Sequence, residues 1–171
     1  MKKTTLLILM CCMNAGVFTG CSTQKIEEEQ TSQTTMIGNP WSNCDSIEEA
    51  EAVVGFEFGL PEMIAGNYEA VTVHTLKNEL IEVVYQAGDS KVCIRKQKGE
   101  GQDISGDYNT YETSTESNHE CGAVITESYN SSNSAIIQLV SYNVYSWSLV
   151  AQDGYLKDSQ SDFMNQILEQ K

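Results

Sequence analysis

The chain has 171 residues, of which 24 are acidic and 10 basic, and its net charge at pH 7 is −14. This length is enough for one domain with its own hydrophobic core. A surface of this charge repels phosphates and anionic headgroups, which argues against binding to nucleic acid or to anionic lipid. We interpret the charge as a solvated acidic coat; a cationic ligand, a basic partner protein or loosely held cations are the alternatives.

The first 20 residues have the three parts of a secretory signal peptide. Lys2 and Lys3 precede an apolar run at 6–13, and small or polar residues follow as far as Gly20. This run is shorter than the roughly 20 residues that a membrane-spanning helix needs. We therefore predict that residues 1–20 are a signal peptide that is removed.

Cys21 directly follows Phe18-Thr19-Gly20. This arrangement resembles the lipobox of bacterial lipoproteins. The resemblance implies that the thiol of Cys21 receives diacylglycerol, becomes the first mature residue and is further acylated, for example with palmitate. We therefore expect a lipid-anchored protein at the extracytoplasmic face of the cell membrane. An ordinary secretory signal with a cysteine nearby by chance is the alternative.

The segment 21–39 is polar and lacks hydrophobic periodicity, so we predict a disordered tether behind the lipidated cysteine. A flexible coil of this length holds a domain roughly 20–25 Å from its anchor. The remaining residues, 40–171, make up one predicted domain. Removal of the signal peptide leaves 8 basic and 24 acidic side chains, a net charge of −16.

The predicted domain begins with a helix and continues mainly as strands. Ser46 and Glu49 fit a capping box, and Gly55 is a suitable helix end. Runs rich in Val, Ile, Thr and Tyr follow. The predicted strands are 68–76, 79–86, 91–97, 107–113, 120–128, 134–141 and 143–151, with a Gly-rich loop at 98–106 and a final helix that carries Phe163, Met164, Ile167 and Leu168 on one face. This pattern predicts an α+β fold of antiparallel strands with an N-terminal and a C-terminal helix.

Six short motifs occur in an order that resembles a known family. They are Asn39-Pro40-Trp41, Val54-Gly55-Phe56, Leu60-Pro61, Ile94-Arg95-Lys96, the run Asp103-Ile104-Ser105-Gly106-Asp107-Tyr108-Asn109, and Tyr145-Ser146-Trp147-Ser148-Leu149. Together they resemble an uncharacterised extracytoplasmic domain of Firmicute lipoproteins, also found at the outer ends of anti-sigma-like membrane proteins. The resemblance implies a curved antiparallel sheet flanked by helices, a cell-surface setting and a sensing or interaction role. It implies no particular activity.

Asp103, Asp107 and Asn109, with Glu112 nearby, form the densest group of oxygen ligands in the sequence. Calcium takes six to eight such oxygens, but the spacing does not match an EF-hand loop. The favoured interpretation is that these residues set turn geometry and strand entry. They are kept as candidate binding residues, and no metal or cofactor is expected.

Tyr145 and Trp147 are two residues apart on a predicted strand, so their side chains share a face. Tyr and Trp combine an apolar ring with a polar tip and can form a platform for sugars or peptides. Ordinary packing of a half-buried sheet explains the same pattern and is the favoured interpretation. Both residues are candidate binding residues.

Cys44, Cys93 and Cys121 remain in the predicted domain besides Cys21. An extracytoplasmic location permits a disulfide, and Cys93–Cys121 is the candidate pair; buried free thiols are the competing interpretation. His119 is two residues before Cys121, so a Cys–His dyad is conceivable. The sequence contains no metal-site spacing and no known catalytic motif.

The sequence favours a non-catalytic binding or sensing domain on a surface lipoprotein. The expected partner is an envelope protein or a glycan, and we expect a monomer. The alternative is an envelope hydrolase that uses paired carboxylates, since acidic residues are abundant. A cavity with two carboxylates would favour the hydrolase, and an aromatic or apolar surface would favour the binding domain.

Overall fold

The computed structural model describes residues 39–64, 67–130, 136–151 and 157–170. The predicted signal peptide, Cys21 and the tether before residue 39 lie outside these residues. Along the chain the elements are β1 (Trp41–Cys44), α1 (Ile47–Val54), β2 (Met63–Ile64), β3 (Tyr68–Leu76), β4 (Leu80–Ala87), β5 (Ser90–Lys98), β6 (Thr113–Asn118), β7 (Val124–Tyr129), β8 (Ile136–Tyr142), β9 (Tyr145–Ala151) and α2 (Lys157–Leu168). The chain is therefore an α+β protein, as predicted.

The nine strands of the described residues form one open antiparallel sheet. Its order is β1-β3-β4-β5-β9-β8-β7-β6, and β2 pairs with β3 beside this path. The central strand β5 lies between β4 and β9, with Lys96 opposite both Ile81 and Trp147. Paired residues in neighbouring strands share a face, so these three side chains project to the same side of the sheet.

The hydrophobic core covers that same face, which we call the core face. Alternate residues of the central strands, including Val83, Ile94 and Leu149, are at most 1% exposed. Both helices contribute to the core: Ala50 of α1 and Phe163 of α2 belong to the same buried cluster. The position of the core follows from the period-2 apolar alternation in the sequence.

The opposite face of the sheet is partly covered by the loop of residues 99–112. Arg95 donates from Nη1 to the carbonyl oxygen of Ile104 at 3.0 Å, and the backbone N–H of Gln102 donates to Ser146 Oγ at 3.0 Å. Gly106 has a φ of 62°, and a Cβ added there would come within 2.1 Å of the Arg95 guanidinium. A side chain at position 106 would therefore have to displace the Arg95 guanidinium or the loop, and the positive φ would strain it as well.

Helix α1 has the ends that the sequence predicts. Ser46 is the N-cap and accepts a hydrogen bond from the Glu49 N–H at 3.2 Å. The carboxylate of Glu49 accepts in turn from the N–H of Asp45 at 2.6 Å, one residue earlier than in a standard capping box. Gly55 ends the helix with a φ of 77°. Both ends are therefore set by residues adjacent to the helix, the first through side-chain hydrogen bonds and the second through the backbone conformation of Gly55.

The predicted strands at 68–76, 79–86, 91–97, 134–141 and 143–151 are present, with ends within two residues of the prediction. The strand predicted at 107–113 is wrong, because β6 begins at Thr113. The strand predicted at 120–128 begins later, at Val124. In both places local hydrogen bonds hold turns instead: Asp107 Oδ1 accepts from the Asn109 N–H at 2.7 Å, and the Gly122 N–H donates to the His119 oxygen at 2.9 Å. The short strands β1 and β2 were not predicted.

Candidate functional site

A cavity of about 490 Å³ opens beside the core face, near the end of the sheet where β8 turns into β9. Four parts of the chain line it: the segment after α1, strand β5, the β8–β9 hairpin and the residues after α2. The lining residues are Gly55, Phe56, Glu57, Gly59, Lys96, Tyr142, Asn143, Tyr145, Trp147 and Gln170. We call it the Lys96 cavity. Its volume lies within the range of about 300–1,000 Å³ that is usual for small-molecule sites.

Lys96 is the buried cation of this cavity, and only 5% of the residue is exposed. Its Nζ donates to the carbonyl oxygens of Glu57 at 2.6 Å and Phe58 at 3.2 Å, and to Gln170 Oε1 at 3.3 Å. An ammonium group has three hydrogens, and these three acceptors can take all of them. Lys96 thereby connects β5 to the segment after α1 and to the end of the chain.

Two aromatic rings complete the surroundings of the Lys96 ammonium. Its Nζ lies 4.4 Å from the ring centroid of Tyr145 and 4.5 Å from that of Trp147. Such cation–π contacts stabilise a desolvated cation. Tyr145 also packs against Phe56, with ring centroids 5.4 Å apart. The structure thus brings the two predicted aromatic residues together around a cation that was not predicted.

The two aromatic candidates occupy different positions in the site. Trp147 is 1% exposed and belongs to the core, with its ring 5.6 Å from Phe58. Tyr145 is half-buried and lies at the cavity wall. A platform of two accessible rings is therefore not formed, because Trp147 is covered by the core and by Lys96; at Trp147 the structure agrees with the favoured interpretation, ordinary sheet packing. Tyr145 remains available to a ligand.

Burial lowers the pKa of Lys96 to about 8, although the carboxylates of Glu51 and Glu57 oppose this shift. The unfolded chain holds the proton up to a pKa near 10.5, so folding stability rises with pH between these two values. We expect the free energy of unfolding of wild type, minus that of Lys96→Met, to increase by about 1–2 kcal/mol from pH 8 to pH 10. The increase is smaller than the full pKa difference implies, because solvent in the cavity screens part of the effect. Urea unfolding of both proteins at several pH values measures this difference. The buried tyrosines and cysteines titrate in both proteins, so their contributions cancel in the difference. A constant difference would contradict the burial of the charge.

Asp103, Asp107 and Asn109 lie in the loop of residues 99–112, which partly covers the opposite face of the sheet. Asp103 Oδ1 accepts from both the N–H of Ser105 at 3.0 Å and its hydroxyl at 2.7 Å. Asp107 accepts from the Asn109 N–H and, through its other oxygen, from the hydroxyl of Tyr111. Within the described part of the chain, no three His, Cys, Asp or Glu side chains are placed to share a metal ion. The turn interpretation accounts for these contacts.

A partly buried ionic network lies beneath this loop. Arg95 donates from Nε to Glu82 Oε2 at 2.7 Å, and His74 Nδ1 is 3.1 Å from Glu82 Oε1. Burial by itself would raise the pKa of Glu82, but the His74 hydrogen bond and the Arg95 charge outweigh it and lower that pKa. The guanidinium also lies 5.3 Å from the ring centroid of Trp41. The network ties β1, β3, β4 and β5 to the loop.

The three described cysteines are free thiols. Cys93 is buried opposite Val84 and Val150, and burial raises its pKa to about 12. Cys121 is exposed in the β6–β7 turn, so the candidate Cys93–Cys121 disulfide is not formed in this structure. The thiol of Cys121 lies 3.1 Å from His119 Nδ1, but the same nitrogen also accepts from the Cys121 N–H at 3.3 Å. This contact stabilises the turn.

Comparisons with models of known protein families, with curated proteins and with solved structures give no match for this chain. The family resemblance inferred from the sequence motifs stays a prediction. Among the described residues, no helix has the length and apolar character to cross a membrane. Function must therefore be argued from the sites themselves.

The sequence did not predict the following residues as part of a site: Lys96, Gln170, Phe56 and Asn143. One signal for Lys96 was present: it follows Val92 and Ile94 at every second position, so it lies in phase with the buried face of β5. A lysine in that phase indicates a buried cation with acceptors nearby. The acceptors could not be predicted, because they come from residues 38 to 74 positions away in the chain.

Proposed function

We propose that this chain is a lipid-anchored protein of the extracytoplasmic membrane face whose domain binds an envelope protein or glycan without catalysis. We also propose that the sheet is curved and that a helix flanks it at each end. The Lys96 cavity is the proposed binding site, and Tyr145 is its accessible aromatic residue. The lipidated Cys21 and the tether would keep this cavity in the layer next to the membrane.

The hydrogen bonds of Lys96 are the observation that carries the proposal. A catalytic lysine presents a nitrogen lone pair or a free proton to its substrate. Here two backbone carbonyls and one amide oxygen already surround the ammonium. A cation fixed in this way can attract and orient a ligand, but it offers no free group for proton transfer.

A hydrolase with paired carboxylates is less well supported. Asp103 and Glu116 both line a second cavity, of about 230 Å³, on the opposite face. One oxygen of Asp103 is already held by two hydrogen bonds from Ser105, which fix the turn. Glu116 is exposed on the edge strand β6. This pair lacks the burial that would separate an acid from a base.

Photocrosslinking in intact cells tests the binding proposal. The photoreactive residue p-benzoylphenylalanine would replace Tyr145 in the native lipoprotein, and a control chain would carry it at Tyr108, which is 97% exposed in the loop. We expect one protein or glycan adduct from position 145 that is absent from position 108. No adduct, or the same adducts at both positions, would contradict a ligand site at the Lys96 cavity.

The anchor is tested separately by replacing Cys21 with Ser. We expect Cys21→Ser to lose all labelling by an alkynyl fatty acid and to move from the membrane to the soluble fraction, since stable anchoring needs acyl chains. Cys12→Ser is the matched control, because Cys12 lies inside the apolar run of the signal. Equal label in wild type and Cys21→Ser would show that Cys21 is not the lipid attachment site.

A further inference from the structure

The Lys96 cavity contains two hydrogen-bond donors close together at its inner end. One is the Lys96 ammonium. The other is Gln170 Nε2, which is buried and has no acceptor among the described residues. An unpaired buried donor costs roughly 1–3 kcal/mol, so a ligand oxygen that pairs with it is favoured. The two donors together present a site for an oxygen-rich, negatively charged group.

Gln170 occupies the place that such a group would take. Its Oε1 is the most distant of the three acceptors of Lys96, at 3.3 Å. Its backbone is held by two long hydrogen bonds, one donated by its N–H to Ile167 and one accepted from the hydroxyl of Tyr142, both 3.4 Å. The side chain lies directly over Gly59, where a Cβ would come within 2.5 Å of Oε1. A neutral amide oxygen on a weakly held residue is easily replaced by a carboxylate, which bonds an ammonium more strongly.

The other walls of the cavity suit a sugar ring. Phe56, Tyr142 and Tyr145 supply aromatic surface, and Asn143 supplies an exposed amide. Aromatic faces pack against the apolar side of a sugar, while amides bond its hydroxyl groups. A cavity of about 490 Å³ accommodates one or two sugar units. A protein partner would be expected to use a broader and flatter surface.

We propose that the Lys96 cavity binds a carboxylate-bearing sugar unit of an envelope glycan. The proposal rests on the proposed function and specifies its ligand. The carboxylate bonds the Lys96 ammonium and Gln170 Nε2 in place of Gln170 Oε1, and the sugar ring lies against Tyr145. The preference for an acid comes from Lys96, and the affinity for the ring comes from Tyr145.

The acidity of the chain does not prevent this binding. Glu51, the first carboxylate that faces Lys96, already accepts the N–H of Phe58 at 2.6 Å. Glu57, the second, is exposed to solvent. Glu57 lines the cavity and offsets part of the Lys96 charge, whereas carboxylates more than about 8 Å away are largely screened at physiological ionic strength. The buried ammonium is screened much less and dominates inside the cavity.

Saturation-transfer NMR on the intact lipoprotein in nanodiscs tests the proposal with two sugars that differ at one carbon. D-glucuronate carries a carboxylate where D-glucose carries a hydroxymethyl group. We expect wild type to bind glucuronate about tenfold more tightly than glucose, the effect of one charge-assisted hydrogen bond. Equal affinities would overturn the carboxylate claim while leaving a sugar site in place. No signal from either sugar would overturn the sugar claim, and the crosslinking at position 145 would then decide the proposed function independently.

Three variants locate the binding within the cavity. Lys96→Met should remove the preference for glucuronate, and Tyr145→Ala should weaken both sugars alike. Gln170→Glu should weaken glucuronate by about tenfold, because it removes the Nε2 donor and places a competing carboxylate beside Lys96. If Lys96→Met does not fold, the loss in Gln170→Glu still tests the site. A preference that survives Lys96→Met, or unchanged glucuronate binding in Gln170→Glu, would overturn the proposal, as would a single protein adduct at position 145 together with no sugar signal.

Discussion

Replacement of Glu82 by Gln is expected to lower the free energy of unfolding by about 3–5 kcal/mol at pH 7. Only 11% of the Glu82 side chain is exposed, and it is the counterion of Arg95, whose side chain is 18% exposed. Without the carboxylate, the partly buried guanidinium of Arg95 has no opposite charge, and the single amide oxygen of Gln cannot replace both carboxylate oxygens that serve Arg95 and His74. Urea denaturation measures the loss. The exposed Glu69 on β3 is the matched control, and Glu69→Gln should change stability by less than about 0.5 kcal/mol.

A double-mutant cycle separates the ion pair from the packing of its side chains. Glu82→Leu with Arg95→Met removes both charges and keeps side-chain volume, so the pair of changes should cost much less than the sum of the single changes.

The pH dependence of stability gives a second measurement of the contribution of Glu82. Because the pKa of Glu82 is lowered on folding, its contribution is present above an ordinary pKa of 4.5 and is lost as pH falls through the folded value. Glu82→Gln should therefore make the free energy of unfolding depend less on pH on the acid side. The network would be contradicted if the costs of Glu82→Leu and Arg95→Met simply added and if Glu82→Gln left the pH dependence unchanged.

The parts of the fold that could be predicted from the sequence are those fixed by neighbours in the chain. The N-cap at Ser46 and the helix end at Gly55 depend on contacts within four residues. The alternation Ile81, Val83, Tyr85 determines which side of β4 faces the core. In each case a few adjacent residues are sufficient, so the sequence pattern and the structure agree.

The segment 107–113 shows where such patterns mislead. Its tyrosines indicate a strand, because aromatic residues favour sheets. The side chains of Asp107 and its neighbours bond their own backbone instead and hold the segment as a loop. The aromatic signal was therefore weaker than the turn chemistry of Asp and Asn.

The motifs of the predicted family resemblance meet each other in the fold. Arg95 contacts the loop that contains Ile104, lies over the ring of Trp41 and pairs with Glu82. Lys96, its neighbour, projects to the other face and reaches Trp147. The motif residues therefore have a structural role: they connect strands and loops to each other on both faces of the sheet. The candidate site at Lys96 could not be derived from them, because its acceptors belong to distant parts of the chain.

Replacement of Trp147 by Ala should lower the free energy of unfolding by about 3–5 kcal/mol, as for other fully buried Trp side chains. Trp147 is 1% exposed, packs against Phe58 and supports the Lys96 ammonium at 4.5 Å, so its loss leaves a cavity and removes a cation–π contact. Trp147→Phe should recover most of the stability, because it restores an aromatic face in the same position. Thermal and urea unfolding measure all three proteins.

Tyr145 is the matched control for this prediction, since it lies two residues away, contacts the same ammonium at 4.4 Å and is only half-buried. Tyr145→Ala should cost about 1–2 kcal/mol and leave a folded protein that has lost the aromatic wall of its cavity. The two neighbouring aromatic positions of β9 would then have different roles: position 147 stabilises the core, and position 145 is the one proposed to contact the ligand. Wild-type stability in Trp147→Ala would mean that its ring is exposed, and the two-ring platform, the less favoured interpretation of the sequence, would then be the correct description of β9.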